Sequence, residues 1–191
     1  MKHVTRVYVC HTFYHVYIAY LKECALQKAD KEDKTLDKAD ILLSTMSNDF
    51  SGLKERMDAT GFWNQVIPFE EKHFSQFPEL LSLKKDRGNI VCNMLERIRF
   101  CKRYGKLEEP YIPVDFKNYR DIYVFCDSDP IGYYLSYKKI YYHALEDGLN
   151  CIQHYDTARY DNRGAFKIKA WMAAHNLIFI QNGYGKYCLD M

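Results

Sequence analysis

The chain has 191 residues, 48% hydrophobic and 27% charged, with nine glycines and five prolines, a composition that excludes the disordered and fibrous classes. Its 27 Lys and Arg against 25 Asp and Glu leave a net charge of +2, short of the basic excess of a phosphate-tracking protein, so no nucleic-acid partner is expected. No apolar run reaches the ~18 residues needed to cross a bilayer, and Met1-Lys2-His3 leads into a strand-like segment rather than a signal-peptide core, so the expected location is cytoplasmic.

Val4 to Cys10 is a β-branched and aromatic run ending in His11-Thr12, and from Phe13 the spacing turns helical through Tyr17, Leu21 and Ala25. This predicts a strand, a tight turn and a helix. Lys28 to Asp40 alternates charges and reads as a solvated helix end and loop. Ile41 to Thr45 is a second buried run, followed by a helix from Ser51 to Thr60 that Gly61 terminates. Phe62 to Phe69 is a third strand, with Pro68 near its end. His73 to Tyr104 is helical in its second half, where Ile90, Met94, Leu95, Ile98 and Cys101 share a face, and Gly105 is read as its end. Glu108 to Asn118, with two prolines, is an irregular connector. Asp121 to Cys126 is the clearest buried strand, and Pro130 suits the first turn of a helix running through Tyr137. Lys139 to Ala144 is a further strand, and Leu177 to Gln181 a last one after a helical Phe166 to His175.

Strands alternating with helices in this way predict an α/β, Rossmann-like fold with a mostly parallel sheet and helices on both faces. Ligands of such sheets lie beyond the C-terminal strand ends. Three polar clusters fall there: His11-Thr12, Asp127 to Asp129, and Glu146-Asp147-Gly148.

A carboxylate in Glu146-Asp147 can take a proton from an attacking hydroxyl, and Gly148 lets the backbone turn sharply; the plain alternative is an acidic strand end entering a loop. Asp127-Ser128-Asp129 has the D-x-D form that holds Mg²⁺ or Mn²⁺ on a nucleotide diphosphate, but Asp129 equally suits the cap of the helix opening at Pro130. His11 and His15 stand four apart; a metal would need a third ligand, and no H-E-x-x-H supplies one. His11 is read as a loop residue lining the ligand edge and His15 as a packed helix residue. Seven cysteines, an odd number without a C-x-x-C, read as reduced thiols. With neither a G-x-G-x-x-G nor a P-loop, dinucleotide oxidoreductases and NTPases are disfavoured.

The order of Val9-Cys10-His11-Thr12-Phe13-Tyr14-His15-Val16 after the first strand and Leu145-Glu146-Asp147-Gly148-Leu149 late in the chain resembles the N-terminal half of bacterial sialyltransferases of glycosyltransferase family 52, the lipooligosaccharide and capsule group, and more distantly polysialyltransferases. Phe13 stands where the family often has proline. The resemblance implies Asp147 as the general base with Glu146 beside it; His11, Thr12, Asp127 and Asp129, at the ligand edge of the sheet, are read as substrate-binding residues. It further implies a GT-B architecture and inverting transfer from CMP-sialic acid to an acceptor glycan, with no metal and no other cofactor. The family's His-Pro motif belongs to its C-terminal, nucleotide-sugar domain, and no His-Pro occurs in these 191 residues. Residues 1–191 are therefore expected to form one acceptor-side domain without its donor-binding half, inactive alone. Association with the inner face of the cell membrane and homodimerisation are further expectations. The competing readings are a metal-dependent D-x-D nucleotide-sugar transferase and a non-catalytic Rossmann-like binding module.

Overall fold

A computed structural model describes residues 6–29, 37–145, 166–180 and 183–190. Its strands are β1 (Arg6–Cys10), β2 (Asp40–Ser44), β3 (Gln65–Phe69), β4 (Asp121–Val124) and β5 (His143–Ala144), all paired in parallel in the order β3-β2-β1-β4-β5. The helices are α1 (Phe13–Ala29), α2 (Leu53–Thr60), α3 (Pro78–Leu83), α4 (Ile90–Glu108), α5 (Pro130–Lys138) and α6 (Phe166–Ala174). The chain runs outward from β1 to β3, then crosses back to place β4 on the other side of β1. That reversal makes the β1–β4 boundary the switch point of the sheet.

Strand alternation sorts the core into two faces. Val7, Val9, Leu42, Ile122 and Val124 meet Phe116 and, from α5, Ile131, Tyr134 and Leu135. Tyr8, Cys10, Ile41, Leu43, Tyr123 and Phe125 meet Ala19 of α1, Met57 of α2 and Trp63. With both faces covered, the strands are continuous apolar runs rather than alternating ones. The α/β, Rossmann-like expectation therefore holds, with an all-parallel sheet flanked by helices. None of the described helices is long and apolar enough to cross a membrane.

Most predicted elements lie within a few residues of their expected bounds. Gly61 ends α2 in the left-handed conformation at φ 60°, a geometry that favours glycine. Pro68 sits inside β3, which pairs only with β2 and so has an edge where a missing N–H costs nothing.

Three details differ. Gly105 does not end α4, which continues to Glu108; a side chain there would run into the Tyr133 carbonyl and Tyr137 Cβ, so this glycine lets α4 press closely on α5. The fifth strand is only two residues long, because Lys139, in the left-handed region at φ 59°, ends α5 and the chain needs Ile140 to Tyr142 to return to the sheet. Finally, Leu177 to Ile180 is not a sheet strand; Ile178, Phe179 and Ile180 are buried among Phe100, Cys101 and Tyr104 of α4, in a third apolar cluster. An apolar run of four residues fits a sheet or a helix layer equally, and here the helix layer takes it.

Candidate functional site

The residue leaving β1 is His11, whose side chain is 0% exposed. Its Nε2 lies 2.7 Å from Glu71 Oε2, and Asp129 Oδ2 is 3.4 Å away. Glu71, two residues beyond β3, is equally buried and gathers three further elements around itself. Ser44, the last residue of β2, donates its hydroxyl to Oε2, while the backbone N–H of Ile131 donates to Oε1 over 2.9 Å. A carboxylate receiving those donors is well compensated for its burial. Asp129 sits at the N-cap position of α5, yet its side chain makes no capping bond. Glu71 supplies that cap from across the sheet, so the capping alternative offered for Asp129 does not hold.

Four strand ends thus meet at one edge: β1 through His11, β2 through Ser44, β3 through Glu71 and β4 through Asp129. Only one carboxylate of the cluster reaches water. The Asp129 side chain is 24% exposed, against 0% for His11 and Glu71. Of the three groups Asp129 alone can meet a ligand from solvent at this edge, with the His11–Glu71 pair buried behind it. Thr12, also predicted to bind substrate, uses its Oγ1 to accept the N–H of His15 over 3.2 Å, capping α1. His15 is buried and stacked on Phe125, centroids 4.5 Å apart, as expected of a packed helix residue.

Asp127 turns the other way. Its Oδ2 accepts the Tyr142 hydroxyl at 2.8 Å and the Gly183 N–H at 2.9 Å. Burial and the carboxylate push the Tyr142 phenol far above its ordinary range, which keeps it a proton donor. The two aspartates of the D-x-D are thereby committed to different neighbours. Glu146 and Asp147 lie outside the described residues; Leu145, directly before them, follows β5 at the same sheet edge.

His11, His15 and Cys126 bring a ring nitrogen each and the thiol sulfur within 4.8 Å of one another. The third ligand absent from the sequence pattern thus stands at the end of β4. His15 Nδ1 accepts the His11 backbone N–H at 3.1 Å, so in the neutral ring Nε2 carries the proton.

Beside this edge, Phe13, Val16, Tyr17 and Tyr20 of α1 face Leu53 and Met57 of α2 and, beyond it, Phe62 and Trp63 across a groove of about 480 Å³. Phe13, Tyr17 and Tyr20 are exposed.

Sequence reasoning missed Glu71 and Ser44. Glu71 had a usable signal: Glu70-Glu71 follows a strand just as Glu146-Asp147 does. No family model, curated protein or solved structure matches the chain.

Proposed function

We propose that this chain is the acceptor-side domain of an inverting glycosyltransferase of the sialyltransferase type, binding the sugar acceptor at the β1–β4 edge. The observation that carries the reading is the convergence of His11, Glu71 and Asp129 on the switch point, with only Asp129 open to water. A carboxylate partly open to water beside a buried His–Glu pair is an acceptor for sugar hydroxyls, and charged acceptors make the stronger hydrogen bonds. The rings of Phe13, Tyr17 and Tyr20, exposed along α1, add flat apolar surface, with polar tips on the two tyrosines. Glu146-Asp147-Gly148 follows β5 directly in sequence, and the resemblance gives Asp147 the role of base. Asp147 takes the acceptor hydroxyl proton as that oxygen attacks the anomeric carbon, the glycosyl–phosphate bond breaks and CMP leaves from the opposite face. The donor belongs to a second lobe.

Calorimetry of this chain with a lactose-terminated oligosaccharide and, separately, with CMP tests the assignment. The oligosaccharide is expected to bind saturably, Asp129→Asn to weaken it about tenfold, the loss of one hydrogen bond to a charged group, and CMP not to bind. CMP binding without oligosaccharide binding would overturn the acceptor assignment.

A further inference from the structure

The cluster of His11, His15 and Cys126 has a use that neither a metal nor the sugar site accounts for. We propose that Cys126 is an activated thiol, sharing its proton with His11 in a Glu71–His11–Cys126 relay and poised to attack a soft electrophile at the sheet edge.

The hydrogen-bond roles follow from one end of the cluster to the other. Glu71 can only accept, so the His11 nitrogen 2.7 Å away, Nε2, is the donor. Nδ1 is then the basic nitrogen of His11, and the Cys126 sulfur lies within 4.8 Å of a nitrogen of that ring. His15 Nδ1 is fixed as an acceptor by the His11 backbone N–H, so in the neutral ring its Nε2 carries the proton and can donate. Each role supports the next: carboxylate, imidazolium, thiolate and a second imidazole N–H. When the proton moves from sulfur to His11, the ring's positive charge lies between Glu71 and Asp129, at 2.7 and 3.4 Å. Asp127, the next residue in the chain, is turned toward the Tyr142 hydroxyl and the Gly183 N–H. This is the arrangement in which a base oriented by a carboxylate activates a nucleophile.

Of the other described cysteines, Cys24 is half-buried on α1 beside the Tyr20 hydroxyl, outside this cluster. Cys10 and Cys101 are buried, and burial pushes both thiols up; burial and Asp127 push Cys188 up to about 11. Cys92 is exposed, with no histidine or acid shown beside it. Cys126 is half-buried, so a small reagent can approach it. With iodoacetamide the thiolate sulfur forms a bond to the methylene carbon, the carbon–iodine bond breaks, iodide leaves, and the thiol proton remains on His11.

The test is limited alkylation of the intact chain with iodoacetamide near pH 7, with site-by-site rates from peptide mass spectrometry. Cys126 is expected to react at least tenfold faster than Cys92, and His11→Asn to bring it down to the Cys92 rate. Because substituting a buried histidine can unfold the chain, the competition within the unaltered protein decides alone: Cys126 reacting no faster than Cys92 overturns the proposal. So does an unchanged Cys126 rate in folded His11→Asn. Stoichiometric protection of Cys126 by one equivalent of Zn²⁺ would make the cluster a metal site and overturn it too. The readout involves no sugar, so its failure is distinct from failure of the transfer reading.

Discussion

Glu108 is a carboxylate without a rescuer. It ends α4 fully buried; Oε2 accepts only the Lys72 N–H at 3.3 Å, and Oε1 has no hydrogen-bond partner among the described residues. Burial, helped by the Glu71 charge and opposed by the Lys72 N–H, pushes its carboxyl up to about 8. The folded chain therefore binds a proton that the unfolded chain has released above about pH 4.5. Stability should fall as pH rises from about 4.5 to about 8, by an amount on the order of a few kcal/mol, and level off beyond. Glu108→Gln keeps the shape without the charge. Its urea midpoint is expected to exceed that of the unaltered protein at about pH 8 and to match it near pH 4.5. Equal midpoints at the higher pH would mean that the Glu108 carboxylate is not under strain. The buried Arg6–Glu23 pair, with its 2.7 Å contact and the Tyr8 hydroxyl on the same carboxylate, is the satisfied counterpart.

At the scale of elements, the glycines on the helix interfaces carry the close contacts. Helix propensity alone would make Gly105→Ala stabilising by about 1 kcal/mol. The structure reverses the sign, because the added methyl meets the Tyr133 backbone and Tyr137 Cβ of α5, and neither can swing aside. A net loss of about 1–3 kcal/mol is expected, read as a fall in thermal midpoint. A raised midpoint would place α4 and α5 further apart than described. Gly132 repeats the device at the other end of α5, where a Cβ would strike the Asp127 carbonyl and the Phe179 ring. The elements were largely legible in the sequence because their cues are local: β-branched runs for β1, β2 and β4, Pro130 opening α5 and Gly61 closing α2. The misreading of Gly105 has the same origin, since a glycine that stops a helix and one that admits a neighbouring helix look alike until the neighbour is known.

Across the whole molecule, the legible part was the rim, and the hidden part was which groups on it meet. His11 and Asp129 were found as strand-end residues, yet the group between them, Glu71, lies 60 residues from His11 and from Ile131. Nor did sequence show that His11 is buried and Asp129 exposed, because pairing with Glu71 is what permits the burial. Removing that carboxylate should therefore register globally. Glu71→Ala deprives His11, Ser44 and the Ile131 N–H of their shared acceptor and is expected to cost about 3–5 kcal/mol in chemical denaturation. Glu71→Gln, which retains an oxygen acceptor and the volume, is expected to lose less; equal losses would show that the carboxylate charge, not volume, matters there.

The borrowed cap on α5 also bears on how the chain reaches its folded state. The first turn of α5 takes its acceptor from beyond the outermost strand, so it is secured only after β3 has joined β2 and the crossover has carried the chain back past β1. Loop closure over that separation precedes the reward, which favours slow, late docking of α5. The β1–α1–β2 unit closes on nearer contacts, whereas the cluster at the sheet edge is complete only once Glu71 and the Ile131 N–H have met.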